Sequence, residues 1–231
     1  MKKVILLFIA IMVTCVTWGQ TPVGTGQTYS TLKSAFDAIN SGTLTGAVVL
    51  QITSSTTETA SAILNASGGS SSYTSVTIYP TGSGYTIGGA VAGSLIQLNG
   101  ADAVTIDGRV NQTGAKDLII QNTNASNATI ELKTDATSNF IQYCIIKGAT
   151  TTTSNGIVLV SAGTSSGNDN NTIDHCNIDG TAAALNCIYS TGTSGAVHDV
   201  LTISNNNIYD FRGAGSSAIT LQQYNAGSII D

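Results

Sequence analysis

The sequence predicts an all-β chain wound as a parallel β-solenoid of about six coils, closed at its N-terminal end by one helix. Three observations lead there. The first is a phrase that occurs three times: Asn139-Phe-Ile-Gln-Tyr-Cys-Ile-Ile-Lys-Gly148, then 32 residues on Asn171-Thr-Ile-Asp-His-Cys-Asn-Ile-Asp-Gly180, then after 30 more Val200-Leu-Thr-Ile-Ser-Asn-Asn-Asn-Ile-Tyr209. Aligned, it gives a file of Ile141, Ile173 and Ile203, a file of Cys144, Cys176 and Asn206, and a file of Ile146, Ile178 and Ile208. A unit repeating at that period cannot bury its apolar face alone and stacks on its neighbours. The second is a series of short alternating runs between the phrases, carrying Ile96, Ile130, Ile157, Ile188 and Ile219 at spacings of 34, 27, 31 and 31 residues. Each run has strand periodicity and is too short for a helix. Two series returning once per coil imply at least two strands per turn. The third is composition: charged residues make up 9% of the chain, well below the roughly 25% usual in soluble domains. Thr, Ser, Asn and Gly carry the polarity, and neutral side chains can stack about 4.8 Å apart where like charges would repel. A β-sandwich also spaces short strands evenly, but it does not require same-phase residues at one period through three successive units.

Taken in order, residues 1–19 read as a secretory signal peptide. Lys2 and Lys3 begin it, and an apolar run over Val4–Val13 follows, too short to span a bilayer. Cleavage after Gly19 leaves a mature chain starting at Gln20. A second reading, with Cys15 as a lipoprotein cysteine, has Thr14 where a smaller residue is expected; on either reading the protein leaves the cytoplasm. Residues 20–45 form a lead-in and a capping helix. Ser30 is the expected N-cap, and Leu32, Phe36 and Ile39 fall on one face. The helix would plug the first coil and block edge pairing by its strands. Residues 46–231 are read as coils, with Val48–Ile52, Val76–Tyr79, Val104–Ile106 and Leu118–Ile120 as earlier strands, and with Ala66–Ser72 and Asn111–Gly114 as loops leaving the stack. The stretch Asn168–Asn171 lacks the further acids of a calcium loop and reads as a turn. Ile229 and Ile230 look like the start of another strand, so a C-terminal continuation or a covering partner is expected.

Cys144, Cys176 and Cys187 remain in the mature chain. Stacking brings Cys144 and Cys176 close enough for a disulfide, but a file that also accepts Asn206 reads as a tight inward bend with free, buried thiols. Two histidines without paired cysteines make no metal site. The formal charge of −5 argues against a nucleic-acid partner.

The strings Gly24–Asn40, Val104-Thr-Ile-Asp-Gly108 and Asn170-Asn-Thr-Ile-Asp-His-Cys-Asn-Ile-Asp-Gly180 resemble the opening of large secreted surface proteins whose cores are right-handed parallel β-helices of the pectin-lyase-like superfamily. The resemblance rests on repeat texture over nearly the whole mature chain. It implies three parallel sheets per coil, an Asn ladder at one inner bend into which Asn206 fits, and an adhesin-like, outer-surface role with type IX secretion, although no sorting domain is visible. It also implies the enzymes of that superfamily, polysaccharide lyases and glycosidases, as an alternative. Those need calcium-binding carboxylates with a basic residue, or paired acids; calcium is expected only under the lyase alternative.

Against those requirements the chain offers Asp174, His175, Asp179, Asp210 and Arg212 as candidate catalytic residues. The outward file of Gln142, Asp174 and Ser204 holds one acid, and Lys147 beside Asp179 reads as an exposed cross-strand ion pair. His175, in file with Tyr143 and Asn205, is expected to point inward. His198–Asp199 is expected in a loop. Tyr189, Tyr209 and Tyr224 are candidate ligand-binding residues for a polysaccharide or cell-surface glycan. The leading expectation is an exported, non-catalytic scaffold.

Overall fold

The computed structural model describes residues 19–231; Lys2, Lys3, Cys15 and nearly all of the signal-peptide reading lie outside them. The chain winds as a parallel β-solenoid with three strands per coil. Sheet I holds Gln20–Val23, Gly46–Ile52, Tyr73–Pro80, Val104–Asp107, Phe140–Gln142, Thr172–Asp174, Thr202–Ser204 and Ile229–Ile230. Sheet II holds Thr56–Thr57, Thr86–Gly89, Ile119–Asn122, Ile145–Gly148, Asn177–Asp179 and Asn207–Tyr209. Sheet III holds Ala62–Asn65, Ile96–Asn99, Ile130–Lys133, Val158–Val160, Asn186–Ser190 and Ser217–Leu221. Six complete coils result, and Ile229–Ile230 begins a seventh by pairing with Thr202 and Ile203.

Side-chain alternation decides which residues face the axis. In sheet I, Leu50, Ile78, Ile106, Ile141, Ile173 and Ile203 form one inward file in direct register. Ile87, Ile120, Ile146, Ile178 and Ile208 do the same in sheet II. These residues are sealed from solvent apart from Ile208 in the last coil, which is partly buried. Each buried aliphatic contributes about 1.5–3 kcal/mol. In sheet III the file is one residue off the sequence reading. Ile130 pairs with Val158, which pairs with Ile188, so Val158 and not Ile157 holds the place. Both are fully buried, because Ile157 lies at the turn into the strand.

The N-terminal end is closed in three ways. Gln20–Val23 pairs alongside Gly46–Ile52 and covers the edge of sheet I. The helix α1, Leu32–Asn40, buries Leu32, Ala35, Phe36 and Ile39 over the first coil. Its N-cap is Thr31, not Ser30. The Thr31 hydroxyl accepts from Ser34 N at 3.1 Å and the Ser34 hydroxyl accepts from Thr31 N at 3.2 Å, a reciprocal box that fixes the start one residue later. Asn40 then acts as a one-residue strand for sheet III: its Nδ2 donates to Ile63 O at 2.8 Å and its Oδ1 accepts from Asn65 N at 3.0 Å. The buried carboxylate of Glu58 accepts from Leu32 N at 2.9 Å, Lys33 N at 3.1 Å and Thr56 Oγ1 at 2.9 Å. It thereby satisfies the first helical amides and places negative charge at the positive helix end.

Two kinds of corner bend the later coils. Between sheets I and II the chain turns through Tyr143-Cys144, His175-Cys176 and Asn205-Asn206, the first of each pair lying in the left-handed region at φ 52°, 51° and 54°. Cys144 and Cys176 point inward, fully buried and unbonded. Asn206 accepts from Cys176 N and donates to Ile173 O, both at 2.8 Å. Between sheets III and I the bend holds buried Asn139 and Asn171. Asn139 Oδ1 accepts from Val104 N at 2.9 Å, its Nδ2 donates to Ala101 O at 2.9 Å and to Asn171 Oδ1 at 3.0 Å, and Asn171 Nδ2 donates to Ala136 O at 2.8 Å. This second amide ladder, sealed from solvent, complements the one expected at Asn206.

Candidate functional site

The outer face of sheet I and its corner with sheet II gather the densest set of reactive side chains. Register puts Gln51, Tyr79, Asp107, Gln142, Asp174 and Ser204 in one outward file. The strand Val104–Asp107 joins the file one coil before Gln142, so it carries two acids where the phrase alone shows one. Asp107 is nearly sealed, at 1% exposure, and all its capacity is used. Arg109 clamps it through Nε at 3.0 Å and Nη2 at 2.6 Å, and Gln142 Nε2 donates to it at 3.0 Å. Gly108 is required between them: a Cβ there would collide with the Tyr143 carbonyl of the next coil.

At the corner, the left-handed residues point outward and stack along the axis. The Arg109 guanidinium lies 4.1 Å from the Tyr143 ring centre, and the Tyr143 and His175 rings are 4.7 Å apart at 24°. His175 is therefore part of an external ladder and does not point inward. A residue at φ 51° leaves the strand alternation from which an inward position is read. Its Nδ1 lies 2.6 Å from Asp174 Oδ2, while Lys116 Nζ donates to its carbonyl at 2.8 Å. Asp174 also accepts from Ser204 Oγ at 2.7 Å and Asn205 Nδ2 at 3.0 Å. Partial burial raises its pKa, but the hydrogen bonds from Asn205, His175 and Ser204 outweigh this and hold it below the ordinary carboxylate value.

The other candidates lie elsewhere. Asp179 is in sheet II, where Lys147 Nζ reaches it at 3.2 Å and Thr181 N donates to it at 2.8 Å. Asp210 and Arg212 are exposed on the segment that follows sheet II. Asp174 and His175 thus form one pair; Asp179, Asp210 and Arg212 do not join it. The three tyrosines are also dispersed: Tyr189 is buried in sheet III, Tyr209 is half-buried in sheet II and Tyr224 is exposed in the loop after sheet III. His198 is buried and structural, its Nδ1 accepting from Asn168 N at 2.9 Å and its Nε2 lying 3.0 Å from Thr191 O.

Phe140 goes unsingled in the sequence although it stands in the first copy of the phrase. It is outward on sheet I, 45% exposed, with Thr105 and Thr172 directly in register on the two neighbouring coils. Its aromatic face is flanked by hydroxyls, with Gln142 two residues further along the same strand. Among the described residues no cluster of three His, Cys, Asp or Glu is placed to hold a metal ion, and no helix is long and apolar enough to cross a membrane.

Among solved structures, the chain is similar to the crystal structure of pectin methylesterase from Aspergillus niger, at 14% identity and a TM-score of 0.41, over 91% of this chain and 85% of that one. No protein-family model matches the chain, and no match is found among curated proteins.

Proposed function

We propose that the protein is an exported, non-catalytic β-helix scaffold of adhesin-like type that contacts glycans through its outer sheet faces. The observation that supports this most directly is Phe140. An exposed ring set between threonine hydroxyls on a flat, rigid sheet suits the apolar face and the hydroxyl rim of a sugar. The acids of the same face fit a structural role: Asp107 is clamped by Arg109 and Gln142, and Asp174 is held by His175, Ser204 and Asn205. The test is binding of polysaccharides to the mature chain by affinity electrophoresis, with Phe140→Ala as the comparison. Retardation by a glycan that weakens severalfold in the variant, without loss of fold, supports the reading; failure of every glycan to bind defeats it.

One observation favours an enzymatic alternative, a polysaccharide lyase or glycoside hydrolase. The Asp174–His175 pair orients an imidazole whose Nε2 has no partner among the described residues, the arrangement of a general base. Calcium would serve only a lyase. Product release from polygalacturonate and other acidic glycans, with and without calcium, decides it: cleavage abolished by Asp174→Ala would replace the scaffold reading.

A further inference from the structure

On the opposite side of the molecule from the corner ladder, a second surface combines a cavity with an unusual local charge. A cleft of about 370 Å³ lies between the side of α1 and the outer face of sheet III. One wall is helical and carries Lys33 and Asp37, one turn apart. The other is built from three successive coils: Ile63 and Asn65, then Gln97 and Asn99, then Lys133. Register makes this wall regular, because Ile63 pairs with Gln97 and Asn65 with Asn99, which in turn pairs with Lys133.

The charge runs against that of the whole chain. The sequence holds 8 Lys and Arg against 13 Asp and Glu, yet two lysines and one aspartate line this cleft. Lys33 leans on Asp37 at 2.6 Å, and Lys133 reaches Glu131 at a loose 3.6 Å. Both ammonium groups keep donors to spare. Asn99 Nδ2 donates to Asn65 Oδ1 at 2.9 Å, which orients both amides and leaves Asn65 Nδ2 and Asn99 Oδ1 without a partner among the described residues. Gln97 Nε2 donates to Ser61 Oγ at 3.2 Å, which leaves its Oε1 unengaged. Ile63, 37% exposed, supplies an apolar floor.

Donors and acceptors in fixed alternation suit vicinal hydroxyls, an aliphatic floor suits the C–H face of a pyranose ring, and two ammonium groups suit a carboxylate. We propose that this cleft binds one acidic sugar residue of a glycan chain, with its carboxylate toward Lys33 and Lys133 and its hydroxyls on Asn65, Gln97 and Asn99. This rests on the glycan-binding reading and adds to it a second surface and a substrate class.

The test is an NMR titration of the mature chain with tetragalacturonate, and with the neutral galactose tetramer for comparison, following the side-chain amides of Asn65, Gln97 and Asn99. Movement of those signals with tetragalacturonate is expected. Affinity should fall about fivefold in Lys133→Gln, the size of one exposed ion pair, and further in Asn99→Asp, where a second carboxylate opposes the ligand. Both positions are on the surface, so an unchanged melting temperature shows that the fold is retained. If the sheet I signals around Phe140 move and the cleft amides do not, the cleft assignment is overturned and the scaffold reading stands. If no signal moves with any glycan, both fall. Equal binding of the neutral tetramer, insensitive to Lys133→Gln, removes the acidic-sugar assignment.

Discussion

Replacing Asn139 by alanine tests the amide ladder that joins sheets III and I. The side chain is fully buried and serves two backbone groups of the preceding coil, accepting from Val104 N and donating to Ala101 O, both at 2.9 Å. Alanine leaves a buried N–H and a buried carbonyl without their side-chain partner, in a bend that Ala101 and Ala136 line at zero exposure. An orphaned buried polar group costs about 1–3 kcal/mol, so the pair should cost about 2–6 kcal/mol. That is a large share of the roughly 5–15 kcal/mol available to a folded domain. Urea unfolding followed by circular dichroism reads the loss, and hydrogen exchange reads where it falls. Because coils touch only their neighbours, the Val104 amide and the adjoining strands of sheet I should lose protection first. Asn207→Ala, on an exposed outward position, is the control and should stay within about 0.5 kcal/mol. An Asn139→Ala protein as stable as that control, with Val104 still protected, would refute the claim that the ladder carries the corner.

Three further outcomes follow from the titratable groups. Burial raises the pKa of Asp135, but hydrogen bonds from Thr164 Oγ1 and the amides of Gly167, Ser165 and Thr164 outweigh it and hold the carboxylate far below its usual range. Its stabilising effect is therefore complete above the unfolded pKa near 4 and is lost as pH falls toward the folded value; an NMR titration should show no Asp135 inflection near 4, and Asp135→Asn should loosen the Thr164–Gly167 loop. Burial also lowers the pKa of His198, so the neutral ring is favoured in the fold; stability should be complete above about pH 6.5, the unfolded value, and decline as pH falls below it. Melting curves between pH 7.5 and 5 should show that decline, and His198→Gln should flatten it. The thiols should be inert in the native state: its hydrogen bond with Cys176, together with burial, raises Cys144 well above the ordinary thiol value, and burial pushes Cys187 up to about 12. Mass spectrometry after iodoacetamide treatment should find all three alkylated only in denaturant, and labelling of folded protein would contradict the packed corner.

The repeat was legible because stacking forces like residues into like places. Ile141, Ile173 and Ile203 share a file in the sequence and in register, and Lys147 meets Asp179 as their file predicts. The pattern is ambiguous where two neighbouring residues satisfy it. Ile157 and Val158 are both apolar and both buried, and periodicity alone does not choose between them. The outward place of His175 is not legible, because strand alternation says nothing about a left-handed corner residue. The second acid of the outward file was missed because Val104–Asp107 lies before the first full copy of the phrase. Glu58 and Asn40 were invisible for another reason: their partners, Leu32 and Ile63, are set by where α1 docks on the first coil. Phe140 was in plain view but carried no signal, since a strand phenylalanine ordinarily faces a core.

The hydrogen bonds of all three sheets run parallel to the long axis of the molecule. Tension applied between its ends therefore loads the coils in series, as in a stack held by identical clasps. The first coil is locked by α1 and Gln20–Val23, so it should be the last to open. Each release frees about 30 residues, or roughly 100 Å of contour at about 3.4 Å per residue. Such a body yields in equal increments under pull, and lengthens severalfold before its last coil gives way.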